Sequence, residues 1–321
     1  MLVMAAGLML AGCDSACSCA KAPRVEALDA KSWESSEWIS VRGAPVAGEA
    51  EKKHQRAADG TSAFRYRHVN AKDVKSAKWM TAGLGVYELY LNGKPVGCDF
   101  LKPGFTHVKK TRRSFTYDVT ACLRTGKGEA NDFGVEVSAG WWRDKIVNYV
   151  GRRSAFRGVI EFTYADGTTE RMGTKASDWF GCVAGPVRHA GIFDGEEYDA
   201  REEANCARCP GGDFVPGGCE RNDEFQGEIL PTDGAEICLR CDLAHAPVEA
   251  YRWKGVEGGN SAKEPKDRVF GRVIRTKTFA PDDELEVVPG EQLIVDFGQN
   301  CAAVPALEMS AAADTVLTIL P

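Results

Sequence analysis

The stretch Val86–Leu91 (VYELYL), followed by Asn92-Gly93 and then Lys94-Pro95-Val96, limits the possible folds more than any other part of the chain. In an extended strand Tyr87, Leu89 and Leu91 fall on one face, and Val86, Glu88 and Tyr90 on the other. Asn and Gly both tolerate the positive φ of a type I′ turn, so Asn92-Gly93 predicts a hairpin with a short return strand at 94–96. Pro95 lacks an N–H for a central ladder and places that return strand at a sheet edge. Tyr87, Leu89 and Leu91 are predicted core, and Glu88 is an outward strand residue.

The period of two recurs in AFRYRHV (63–69), FGVEVSAGWW (133–142) and GVIEFTYADGTTERMGT (158–174). In the last, Ile160, Phe162 and Tyr164 share a face and Ala165-Asp166-Gly167 supplies a turn. Long amphipathic helices are absent, and YDVTACL (117–123) forms at most a helical turn. Short strands at close spacing, separated by Gly, Asp and Asn, predict an all-β chain of two β-sandwich, jelly-roll-like domains. Residues 14–38 read as a tether and entry segment containing Trp33 and Trp38, and 39–204 as the first sandwich. Residues 205–321 read as a Cys-containing linker and a second, truncated sandwich, with strands in VFGRVIRTKTFAP, EQLIVDFGQN and DTVLTILP. Stopping on an apolar strand at Pro321, the sequence looks like the front part of something longer.

The first residues, MLVMAAGLMLAGC, are apolar up to Cys13 and too short to span a bilayer and continue as a folded domain. They read as a signal segment over residues 1–13. Leu10-Ala11-Gly12-Cys13 resembles the lipobox of bacterial lipoproteins, which implies a lipid on the Cys13 thiol and anchorage at the cell envelope. No Lys or Arg precedes the apolar run, a departure from that pattern; the alternative is a cleaved secretory signal without lipid. Both export the chain, and a membrane is met only through the lipid anchor. The net charge of −6 is spread, with no basic and aromatic patch, which argues against nucleic acid as a partner.

Two pairs, Cys206-x-x-Cys209 and Cys238-x-x-Cys241, are candidates for metal or disulfide chemistry. Four thiolates can close a tetrahedral zinc site, whereas export favours disulfides; unpaired thiols are the third reading, and all three are structural. Cys98, Cys122, Cys182 and Cys301 sit in strand-like contexts that suit small core residues. The histidines, His54, His68, His107, His189 and His245, lack metal spacing and read as surface or structural. No phosphate loop, nucleophile elbow or dinucleotide fingerprint occurs, and no cofactor is required. The acidic run FDGEEYDARE (193–202) lacks EF-hand order and reads as a solvated turn, with calcium the alternative. Trp141 and Trp142 offer indole faces for a sugar ring, with Asp144, Arg143 and Asn148 near enough in sequence to bind hydroxyls. On a strand, one of two adjacent tryptophans faces the core.

Taken together, AKWMTAGLGVYELYLNGKPVGCDFLKPGFT (77–106), YDVT (117–120), AGWW (139–142), YADGTTE (164–170) and GPVRHAGIFDGEEYDARE (185–202) resemble the N-terminal β-sandwich of bacterial α-L-rhamnosidases. LIVDFGQNCAAVPALEM (293–309) resembles the opening of the next β domain of those enzymes. The resemblance implies two β-sandwich domains followed by an (α/α)6 barrel and a C-terminal β domain. It places the inverting acid and base in that barrel, their carboxylates about 6.5–9.5 Å apart to admit water. No stretch here resembles the barrel, so no catalytic residue carries over, and this chain alone is expected to be inactive. What the resemblance implies for it is support of the missing barrel and contact with a rhamnose-containing glycan, with calcium in a sugar-binding loop in some relatives. Where the family often has Gly-Trp-Tyr-Arg-Gly, this sequence has Gly140-Trp141-Trp142-Arg143-Asp144. A stand-alone carbohydrate-binding lipoprotein and a structural β-domain protein stapled by cysteines are the alternatives.

Overall fold

The computed structural model describes residues 2–5, 22–44, 46, 60–147, 150–193, 195–209, 211–260, 265–267, 269, 271–280, 283–305 and 308–319. Cys13, His54, Asn148 and Asp194 lie outside the described residues. The chain divides into two compact units: Ser15–Leu239, and Arg240–Pro321 together with Met1–Asp14.

The larger unit is a β-sandwich. With strands numbered in chain order, one sheet runs Cys219–Arg221 (β14), Ile39–Val41 (β2), Ala155–Tyr164 (β9), Val74–Leu84 (β4), Thr111–Asp118 (β7), Glu228–Pro231 (β15), and Thr169–Gly173 (β10) also pairs with β9. The other runs Phe180–Cys182 (β11), Ser62–Val69 (β3), Ala130–Ser138 (β8), Val86–Leu91 (β5), Lys94–Pro95 (β6). Inward residues of the two sheets meet: Trp79 of β4 lies edge-on to Phe133 of β8, ring centroids 5.1 Å apart. Phe64, Phe156 and Phe162 complete the same fully buried core.

The opening hairpin follows its sequence. Tyr87, Leu89 and Leu91 are buried, and the turn residues Asn92 and Gly93 have φ of 52° and 79°. Leu91 pairs with Lys94 and Tyr90 with Pro95, the latter in an edge strand as its missing N–H requires. The second hairpin buries Ile160, Phe162 and Tyr164 as alternation predicts.

The ends of this unit differ from expectation. Among the described residues, 22–38 and 205–231 supply strands and buried side chains to the sandwich unit, which runs to Leu239, where a tether and a linker were expected. Ala22 and Trp38 are buried, and Ala30–Ser35 is a 3-10 turn capped by the Asp29 carboxylate, which accepts from Lys31 N at 3.0 Å. Both ends also seal strand β7. Val25 N donates to Thr116 O at 2.8 Å, and Asp118 N to Pro23 O at 3.0 Å. Further along the same strand β15 adds in parallel, Glu228 opposite Thr111 through Pro231 opposite Ser114. These segments are too short to show a period; an unpaired sheet edge recruits them through backbone groups.

In the smaller unit Glu249–Glu257 (β16) lies between Arg272–Phe279 (β17) and Gln292–Asp296 (β19). Leu2–Ala5 (β1), within the predicted signal segment, pairs with Glu284–Val287 (β18) and Glu308–Ser310 (β20). Ala250, Phe279 and Leu285 form the buried core of this unit among the described residues. DTVLTILP is not a strand over its described residues, and Val316 is exposed. Among the described residues no helix is long and apolar enough to cross a membrane.

Candidate functional site

The predicted aromatic site sits where β8 ends. The strand stops at Ser138 and Gly140–Arg143 turns into one helical turn (α1), so Trp141 and Trp142 do not alternate across a sheet. Gly140 makes the turn with φ +43°, and a Cβ there would lie 2.5 Å from Val86 N. Trp142 is core: its Nε1 donates to Arg153 O at 2.9 Å and its ring meets Phe225 edge-on at 6.1 Å. Asp144 is buried too, its carboxylate accepting from Ile192 N at 2.8 Å and Ile146 N at 3.4 Å. The adjacent Arg143 donates from Nε to Ser154 Oγ at 2.9 Å. These residues bracket loops, and Trp142 and Asp144 present no face to a sugar. Trp141 is half-buried and is the one described member of the predicted set with accessible surface of this kind.

One residue in this bracket escaped the sequence. Arg112 of β7 is fully buried, its guanidinium 4.8 Å from the Trp142 ring centroid, and Nη2 donates to Trp141 O at 3.3 Å. Among the described residues its Nε and Nη1 have no hydrogen-bond partner, and burial pushes its pKa down to about 10. Alternation gives no sign of it: Phe115 and Tyr117 take the core face of β7, and Arg112 shares the other face with Ser114 and Thr116.

A second site lies at the loop following β6. A cleft of about 440 Å³ is walled by Leu101, Phe105 and Ile237 on its apolar side and by Asp99, Arg113 and Asp233 on its polar side. Phe105 is 71% exposed, a ring held out to solvent beside fixed polar groups. Arg113 Nη1 donates to Pro231 O at 3.0 Å and pairs with Asp233 at 3.2 Å. Asp99 is buried and accepts from Tyr117 OH at 2.9 Å and Arg24 Nη1 at 3.3 Å. Behind it the buried Lys102 Nζ donates to Glu88 Oε2 at 2.9 Å and to the carbonyl of Asp99. Burial raises the Glu88 carboxyl although Lys102 opposes it, so Glu88 is half-buried and ion-paired, not simply outward. An apolar ring flanked by convergent acid, base and hydroxyl groups is suited to a small polyhydroxylated ligand.

The first CxxC pair takes the disulfide reading of its spacing: Cys206 and Cys209 form a disulfide. Its loop lies on the sheet at Gly134, where a Cβ would come within 2.3 Å of Ala207 O, and Ala207 N donates to Glu136 Oε1 at 2.8 Å. Cys238 belongs to the sandwich and Cys241 to the smaller unit. Among the described residues, the ligand group that forms is Cys98, Glu236 and Cys238, not the four CxxC thiols. Two sulfurs and one carboxylate do not make the hard oxygen set that calcium takes. Cys182 is buried as expected, Cys98 and Cys122 are half-buried, and Cys301 is exposed, contrary to a core role. Of the described acids of 193–202, Asp199 accepts from Arg201 N and Glu202 accepts from Asn205 Nδ2 at 3.0 Å. Of the histidines, His68 is buried and stacks on Phe162 at 4.4 Å, and burial lowers its pKa.

The two paired sheets define a β-sandwich module. Residues 72–213 match the family described as "Alpha-L-rhamnosidase N-terminal domain", and the chain carries such a domain. An α-L-rhamnosidase of Streptomyces avermitilis is 37% identical over 189 residues, covering 57% of this chain and 17% of that protein. One from Alteromonas sp. is 30% identical over 243 residues, covering 74% of this chain and 22% of that protein. The chain thus spans about a fifth of the length of the curated relatives it matches. A crystal structure of Streptomyces avermitilis α-L-rhamnosidase complexed with L-rhamnose shares the fold, with a TM-score of 0.52 at 24% identity over 71% of this chain and 26% of that one.

Proposed function

We propose that this chain is the non-catalytic N-terminal part of an exported α-L-rhamnosidase, and that the sandwich holds rhamnose-bearing glycan near a catalytic barrel supplied by further sequence. The observation that carries this reading is the domain match over residues 72–213 combined with the chain's small share of its relatives' length. The sugar contact is placed in the Phe105 cleft because Trp142 and Asp144 are buried, whereas Phe105 faces solvent beside Arg113 and Asp233. The ring would cover the apolar face of the sugar, and the charged pair would take its hydroxyls. Export rests on the apolar segment ending at Cys13. Cleavage before Cys13 removes β1 from its sheet, so the exported form has β18 and β20 without that partner.

Titration of the purified protein with L-rhamnose and with rhamnosyl oligosaccharides, followed by heat and by Trp fluorescence, tests the sugar contact. Saturable binding that Phe105→Ala weakens at least tenfold is expected; heat that stays flat, or binding indifferent to Phe105, sinks it. No release of rhamnose from a chromogenic rhamnoside is expected from this chain alone. Sequencing the gene beyond Pro321 tests the enzyme part: an immediate stop in an intact locus would favour a stand-alone binding protein.

A further inference from the structure

We propose that Cys98 and Cys238 close a disulfide that pins the last segment of the sandwich to the loop after β6. The two Sγ atoms and a Glu236 carboxylate oxygen all lie within 4.8 Å of one another. Their backbones are already tied beside them. Phe100 N donates to Ile237 O at 2.8 Å, and Arg24 Nη2 donates to Gly234 O at 2.7 Å. Arg24 also joins the two segments through its charge, 3.3 Å from Asp99 and 3.8 Å from Glu236. Both cysteines are half-buried, so closure takes place against packed surface and not between mobile ends. A disulfide draws the sulfurs to about 2 Å.

A metal fits this group less well. Two thiols and one carboxylate fall short of the four protein ligands of a closed zinc site, and the Arg24 guanidinium lies 3.8 Å from the Glu236 carboxylate. The chemistry of closure is a thiol–disulfide exchange with an exported oxidoreductase carrying an oxidised dithiol, and it rests on the export part of the reading above. Burial first, and the Cys98 thiol next, push the Cys238 thiol up to about 12, which keeps Cys238 protonated during the first attack. Cys98 loses its proton and forms a mixed disulfide while one oxidant sulfur leaves as a thiolate. Cys238 then loses its proton, attacks Cys98 Sγ and expels the second oxidant sulfur. Two thiols are oxidised by two electrons, one oxidant disulfide is reduced to a dithiol, and two protons are passed on. Asp99 and Ile237, each next in sequence to one of these cysteines, line the Phe105 cleft, so the bond fixes that cleft's wall.

The full chain, secreted with its own leader, is trapped with iodoacetamide under denaturing, non-reducing conditions, digested and weighed by mass spectrometry. The expected result is a peptide linking Cys98 to Cys238 that disappears on reduction, with both cysteines then alkylated. The Cys206–Cys209 pair in the same sample reports whether the compartment is oxidising. If that pair is oxidised while Cys98 and Cys238 are both alkylated, the proposal is overturned. If that pair is reduced as well, it is the export reading that fails; the purified protein is then treated with glutathione disulfide, and failure to form the Cys98–Cys238 link overturns the proposal. One equivalent of zinc that is lost in Cys98→Ser also overturns it.

Discussion

The two units of this chain are both built mainly of antiparallel strands, yet they bury their surfaces to very different degrees. The sandwich of Ser15–Leu239 closes a seven-stranded sheet on a five-stranded one over Trp79, Phe133, Phe156 and Phe162, all fully buried. In the other unit the described core is Ala250, Phe279 and Leu285, and strand β17 buries only its last residue. Its Val256, Val273, Ile274 and Val316 are exposed. Strand pairing alone gives little stability in water; removing apolar area from it does. The difference teaches that the sandwich has what it needs to fold as a unit, while the region from Arg240 onward has strands whose apolar faces are largely unmet.

The sharpest way to break this comparison is to empty each core in turn. Trp79→Ala is expected to cost the sandwich about 3–5 kcal/mol. Phe279→Ala is expected to leave the sandwich transition in place while abolishing the weaker one. Urea unfolding monitored by near-UV CD separates them; a single transition that shifts for both variants would show that the two regions fold as one. A smaller effect is expected from Gly134→Val, whose side chain would enter the space of Ala207 O. The Cys206–Cys209 loop must lift, at about 1–3 kcal/mol, and dithiothreitol should then reduce that disulfide faster than in the parent. An unchanged reduction rate would mean that the loop is not held by its contact with the sheet.

The smallest effect concerns charge on the outer face of the sandwich. Glu88 and Glu136 are directly opposed on β5 and β8, and burial raises both carboxyls. A folded-state value above the ordinary 4.5 means that the protonated form suits the fold. The stability Glu136 contributes is therefore fully present below about that pH and is lost as pH rises through the raised value. Glu136→Gln keeps an acceptor for Ala207 N and removes the charge. Its melting temperature is expected to exceed the parent's at pH 8, with the gap closing toward pH 4; a gap that widens on acidification would contradict the burial of this pair.

Much of the sandwich was legible because its strands obey one rule. Where one face is buried, period two shows it, and Tyr87, Leu89, Leu91, Ile160 and Phe162 all point inward as the pattern requires. The Asn92-Gly93 turn was legible from backbone freedom alone. What the pattern hid was non-local. Cys219–Arg221 and Glu228–Pro231 carry no period, and become strands because β2 and β7 offer unpaired edges. The proximity of Cys98 to Cys238 comes from the return of the chain, so the CxxC spacing pointed to Cys241 instead. Trp141 and Trp142 were placed on a strand because nothing in AGWW marks the end of β8 except Gly140, whose positive φ starts the turn. Phe105, the ring now set at the cleft, lies in a loop where periodicity says nothing.

Strand β7 holds both ends of the sandwich along its outer edge, residues 23–25 at one part and 228–231 at another. An edge closed by a segment from elsewhere in the chain stays closed only while that segment is kept within one molecule. The four residues of β15 pair in register and are reached by a long excursion of chain, so the same backbone groups accept the same segment from a neighbour without a change of partner atoms. A truncation before Glu228 would therefore turn β7 into an adhesive edge, and a lengthened or strained excursion would favour exchange of this segment between two copies.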